Sequence, residues 1–172
     1  FQATVTFNGK TFDLGILDAR FTINRSPAVA SRLEAYDLLH AARRIWKRRL
    51  PDCRMETLER NELSVIRRDD VSGAEIPAIY YQFIKTRDAR LLAGPLEHNR
   101  LDVLSLVVLM TRLGQIFAPD SPLCRDLPPE DLYGLALTLA DRRDPEAADR
   151  LREALAKARG ALKNEVRKKL SL

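Results

Sequence analysis

Residues 98 to 102 read HNRLD, which sets His98 and Asp102 four positions apart. On a helix that spacing places two side chains on one face. An imidazole can take or give a proton near neutral pH, and a carboxylate beside it can hold a hard cation through oxygen. Together they suit a hydrolytic site, with Asp102 as a metal ligand and His98 as a general base. A structural explanation stands beside this one, in which His98 and Asn99 cap the helix and Asp102 pairs with an arginine. The residues that follow, VLSLVVLM, are almost wholly apolar and predict a helix buried on most sides, ending near Gly114. A polar pair opening such a helix costs several kcal/mol unless its groups find partners.

A second carboxylate, Asp13, lies in VTFNGKTFDLGIL, residues 5 to 17. Phe1, Ala3, Val5 and Phe7 alternate with Gln2, Thr4 and Thr6, the period of a half-buried strand. Asn8-Gly9 breaks that strand, and Phe12, Leu14, Ile16, Leu17 and Phe21 then recur at helical spacing. Asp13 is thereby predicted in the first turn of a helix at a strand's carboxyl end, where open α/β sheets bind ligands.

FNGKTFD and HNRLD together resemble the second and third motifs of the DEDD exonuclease superfamily, whose fold is ribonuclease H-like. FNGKTFDLGIL, DLLHAARRIWKRRLPDC, TLERNEL, RDDVSGAEIPAIYYQF and EHNRLDVLSL also occur in the order of the YprB-type ribonuclease H-like domain, over about residues 1 to 117. The resemblance implies 3′-to-5′ phosphodiester hydrolysis with two magnesium or manganese ions held by four carboxylates. Asp13 matches the second motif and Asp102 the third, and His98 would orient or deprotonate the attacking water. Asn8 would shape the turn or touch substrate, with Lys10 beside it as a nucleic-acid contact. The first motif, an Asp-x-Glu on an earlier strand, has no counterpart in the chain, so half of the metal ligands are missing. Three residues separate His98 from Asp102, as in the tyrosine branch of the superfamily; the histidine branch has four.

The elements that would position these residues can be read in outline. LEAYDLLHAARRIWKRRL starts extended and becomes a helix with Asp37 as N-cap, Leu39, Ala42, Trp46 and Leu50 on one face, and Pro51 as its stop. Its cations surround Trp46, which is expected in the core. Arg43, Lys47 and Arg48 are either a solvated face whose stems cover apolar surface or contacts to phosphates. METLERNEL reads as a short helix, RRDDVSGAEIP as a polar loop whose RRDD forms local ion pairs, and AIYYQFIKT as a helix after Pro77. Residues 118 to 131 hold four of the nine prolines and read as a linker. Beyond them, Leu132 to Ala140 and Pro145 to about Lys163 read as a helical hairpin resembling one tetratricopeptide repeat, a candidate protein-docking element.

The expected fold is therefore α/β: a helix-rich, partial ribonuclease H-like domain over residues 1–117, a linker over 118–131 and a helical segment over 132–172. With 172 residues, 45% hydrophobic and 31% charged, the chain can bury a core. No run is long enough to span a bilayer and no secretory signal opens the sequence, so a cytoplasmic location without membrane contact is expected. The start on Phe1 inside a strand suggests a fragment. Cys53 and Cys124 lack the spacing of a zinc site or disulfide framework and read as small buried hydrophobes. The net charge of +5 favours an anionic partner, here nucleic acid at a single-stranded end, DNA or RNA. Two rivals remain: a binding module of the same fold without catalysis, and a helical interaction protein acting through residues 128–172.

Overall fold

The computed structural model describes residues 2–9, 13–27, 32–118 and 121–171. In chain order these form β1 (Ala3–Thr6), α1 (Asp13–Ile23), β2 (Glu34–Asp37), α2 (Leu38–Trp46), α3 (Met55–Leu58), α4 (Ile76–Thr86), α5 (Ala93–Phe117), α6 (Pro122–Arg125), α7 (Pro129–Asp141), α8 (Ala147–Lys157) and α9 (Gly160–Leu170). A π-helical turn, Glu59–Leu63, extends α3, and a 3-10 turn, Ala89–Leu92, precedes α5. The architecture is helix-rich α/β with a small parallel sheet, consistent with a partial ribonuclease H-like fold. The chain divides into two compact units, residues 1–54 with 110–172, and residues 55–109.

In the first unit β1 and β2 pair in parallel, with Ala3 opposite Glu34 and Thr6 opposite Asp37. The strand ends are tied by one carboxylate. Asn8 turns with a φ of 65°, a left-handed conformation that Asn tolerates, and its backbone N–H donates to Asp37 Oδ1 at 2.8 Å. The same oxygen accepts from Leu39 N at 3.1 Å, so Asp37 caps α2 as its sequence position implies. α2 buries Leu38, Leu39, Ala42, Ile45 and Trp46, and Leu50 just beyond it is also buried. The helix ends at Trp46, ahead of Pro51, and a turn completes the segment.

α7 packs on α2 and α8, and most of its residues are buried. Gly134 makes the α2 contact possible: a Cβ there would lie 2.4 Å from the Arg44 carbonyl oxygen and 2.8 Å from that of Ile45. At one side of this contact the fully buried Asp131 receives a forked pair of hydrogen bonds from Arg49, with Nε to Oδ2 at 2.9 Å and Nη2 to Oδ2 at 2.7 Å. The expected single helix from Pro145 to Lys163 is two. Ala158 and Arg159 are extended and Gly160 has a φ of 54°, so α8 and α9 separate there. Cys53 and Cys124 are buried, and burial pushes both thiols up.

The second unit has a small core, in which Leu58, Leu109, Ser105 and Glu59 are buried. Pro77 lies in the first turn of α4, as its missing N–H allows. α5 departs from expectation in two ways. It runs through Gly114 to Phe117, and it is not apolar-packed all round, since Val103, Leu104, Val107, Val108 and Met110 are exposed. No helix of the described residues is long and apolar enough to cross a membrane.

Candidate active site

Within the second unit, three stretches of chain bring titratable groups together. α5 contributes His98 and Asp102 from adjacent turns of one face, with His98 Nε2 3.5 Å from Asp102 Oδ2. The loop before α4 contributes Asp70. Asp69, with a φ of 53°, makes the left-handed turn leading into it, a conformation an Asp accepts. The loop then seats on α5, where a Cβ at Gly94 would lie 2.8 Å from Val71 Cγ1. Asp70 Oδ2 thereby reaches His98 Nδ1 at 2.9 Å.

Arg67 organises the cluster. Its guanidinium is largely buried and forks onto Glu59, with Nε to Oε2 at 2.7 Å and Nη2 to Oε1 at 2.5 Å. It also donates from Nη1 to Asp70 Oδ2 at 3.0 Å and from Nη2 to Asp102 Oδ1 at 2.6 Å. These contacts raise its pKa, the Glu59 bonds first among them. Burial by itself would raise the Asp70 carboxyl, but the hydrogen bonds from Arg67 and His98 outweigh it and hold Asp70 below its ordinary value. An ionised Asp70 can only accept. The proton on its side of the imidazole therefore belongs on Nδ1, which leaves Nε2 toward Asp102.

Glu59, Arg67 and Asp70 also line a cavity of about 540 Å³, but neither His98 nor Asp102 does.

Two comparisons bear on this geometry. A family model describing the RNase H superfamily matches residues 1–114. The chain belongs to the RNase H superfamily. It is also 38% identical over 119 residues to the uncharacterized protein YprB of Bacillus subtilis (strain 168), a match covering 68% of this chain and 29% of that protein. No solved structure matches.

The residues singled out from sequence fall on both units of this RNase H-like chain. His98 and Asp102 converge in the second unit, and the arginine that pairs with Asp102 is Arg67. The capping explanation does not hold, because α5 begins at Ala93 and His98 lies in its second turn. Asp13 is the exposed first residue of α1 in the first unit, where a negative charge suits the helix dipole. Asn8 forms the turn tied to Asp37, while Lys10 lies outside the described residues. Arg43 and Lys47 are exposed, whereas Arg48 pairs with Glu165 at 3.3 Å and lies over the Tyr133 ring at 4.9 Å.

The divalent metals typical of RNase H-like proteins find hard-oxygen donors here in Asp13 and Asp102. Asp102 fits one ligand position, since it is 45% exposed and its Oδ2 lies beyond hydrogen-bond distance of His98 Nε2. Among the described residues no group of three or more His, Cys, Asp or Glu is arranged to hold a metal ion. Asp13 in the first unit and Asp102 in the second are each a single hard-oxygen donor.

Sequence reasoning missed Asp70, Arg67 and Glu59 as parts of this cluster. RRDD signalled the local part, the Arg67–Asp70 ion pair three residues apart. Nothing in it signalled His98, which is 28 residues further on.

Proposed function

We propose that the chain carries the second and third acidic motifs of a metal-dependent 3′-to-5′ exonuclease acting on single-stranded nucleic-acid ends. The observation that supports this reading is the placing of His98 between Asp70 and Asp102, within 2.9 Å of one and 3.5 Å of the other. Asp13 and Asp102 would each offer magnesium or manganese a carboxylate from its own unit. Bound there, the cation would supply a lowered pKa for water and charge stabilisation for the attacking and leaving oxygens.

The chain's own groups then have distinct tasks. Asp70 keeps the proton on His98 Nδ1, so Nε2 can accept the proton that water gives up as its oxygen attacks phosphorus. Arg67 grips Asp102 Oδ1 and leaves Oδ2 on the His98 side, 3.5 Å from Nε2. The terminal nucleotide leaves with the 5′ phosphate, and its former partner regains a 3′ hydroxyl.

A 5′-labelled oligonucleotide tests the reading, in magnesium or manganese, with this chain and with the longest natural chain that contains it. Stepwise shortening from the 3′ end is expected in the longer chain and little in this one, whose two matching carboxylates are half the family's four. Asp13→Asn and Asp102→Asn should each remove most of the activity; His98→Ala should lose less. Near wild-type rates in both aspartate variants would overturn the assignment.

One observation favours a second reading, a module that binds without cutting. The Arg67 guanidinium 2.6 Å from Asp102 Oδ1 already neutralises the carboxylate that a metal would need. Retention of the oligonucleotide by both chains, with no shortening, would select it.

A further inference from the structure

Seven cations on two helical segments of the first unit stand without acids. Arg43, Arg44 and Lys47 are exposed on α2 and the turn after it, and Lys163, Arg167, Lys168 and Lys169 are exposed on α9. None of the seven makes an ion pair among the described residues. Of the acids near them, Asp131 is engaged by Arg49 and Glu165 by Arg48, while Asp52, beside Cys53, accepts from the Arg54 backbone.

The Arg48–Glu165 pair joins the two rows. Arg44 lies one turn before Arg48, while Lys168 and Lys169 lie one turn after Glu165 on its own face. Arg44, Lys168 and Lys169 thus border one seam, and the other four cations extend the charge over the flanking faces of the two helices.

α8 shows what a merely solvated face looks like in the same unit. Its Arg150 pairs with Glu146 and Glu153, Arg152 with Asp149, and Lys157 with Glu153. Acids interleave with cations at helical spacing there. α2 carries no acid and α9 only Glu165, which pairs with Arg48, so more of the positive field is left to act outward.

We propose that α2 and α9 together form a track for the phosphodiester backbone of a nucleic-acid strand. The choice of nucleic acid among polyanions rests on the exonuclease reading; the unneutralised charge does not. Contacts of this kind position a strand without reading its bases, so every sequence should bind alike.

Anisotropy of a fluorescent single-stranded oligonucleotide, titrated with the 172-residue chain in EDTA over a range of salt concentrations, tests the track without any cleavage. Two triple variants remove its charge: Arg43→Ala/Arg44→Ala/Lys47→Ala and Arg167→Ala/Lys168→Ala/Lys169→Ala. Each should flatten log affinity against log salt by about 2 units, from roughly 0.7 per lost contact. Lys85→Ala/Arg90→Ala/Arg100→Ala in the second unit removes equal charge and should leave the slope unchanged. Circular dichroism checks that the variants fold.

An unchanged slope in the α9 triple overturns the track. So does stronger, equally salt-sensitive binding to phosphatidylserine vesicles or polyglutamate, which would name a membrane or an acidic protein instead. Track-dependent binding with no cleavage in any chain would defeat the exonuclease reading alone, and cleavage with no effect of the triples would defeat the track alone.

Discussion

Replacing Arg67 with Met should destabilise the second unit by about 3 to 5 kcal/mol, because it takes one partner from a buried ion pair and leaves the other charged. The residue left behind is Glu59. Its side chain is 2% exposed, and both of its oxygens are held by Arg67, at 2.7 and 2.5 Å. Water cannot replace those bonds without opening the turn at Glu59–Leu63. Asp102 also loses a partner but is 45% exposed, so solvent screens it and it adds little. The double variant Glu59→Leu/Arg67→Met removes the buried pair and should recover much of that loss, stopping short of wild type because Asp70, 11% exposed, still lacks its arginine. Glu59→Leu alone should lose less than Arg67→Met, because Asp70 and Asp102 still satisfy the guanidinium.

The probe must belong to the right unit. Trp46, the single tryptophan, lies in the first unit, so its fluorescence would miss the event. Amide hydrogen exchange in residues 98–109 reports the second unit directly. A loss under about 1 kcal/mol in Arg67→Met would refute the reasoning. So would a double variant as unstable as the sum of the singles, because the coupling would then be absent.

Two further outcomes follow from the same geometry. Asp70 is held below its unfolded value of about 3.9, so the unfolded chain takes up the proton first and stability rises with pH through that range. Its contribution should be complete above about pH 5 and disappear as pH falls through the lower folded value; the stability gap between wild type and Asp70→Asn should therefore narrow on acidification, and a constant or widening gap in acid denaturation curves would contradict this. Gly134→Ala should cost about 1 to 3 kcal/mol in chemical denaturation, since its Cβ would meet backbone carbonyls that cannot rotate away, and an unchanged midpoint would show that α7 does not pack on α2 this closely.

What was legible in the sequence is what local chemistry determines. Alternation placed β1, the Asn8-Gly9 break placed its end, and Asp37 capped α2 where a carboxylate suits exposed amides. Periodicity put Trp46 in the core, where it is fully buried. The apolar run after Asp102 was misleading because hydropathy says that a surface needs cover without saying what covers it; Val103, Leu104, Val107 and Val108 are exposed here. The α8–α9 break was hidden because ALAKARGALK has good helix formers on both sides of one glycine, and only the extended Ala158 and Arg159 and the left-handed Gly160 reveal the turn.

The cluster around His98 is the instructive case. HNRLD by itself offers capping or catalysis, with an arginine partner for Asp102 on the structural side. That arginine exists, but it also holds Asp70, and Asp70 determines which nitrogen of His98 carries the proton. The ion pair and the poised imidazole are therefore one arrangement. It is the means by which a loop 28 residues upstream of His98 acts on it. Spacing can bring His98 and Asp102 together because a helix repeats. It cannot announce Glu59, Arg67 and Asp70, which reach the same point through a π-helical turn and a left-handed bend.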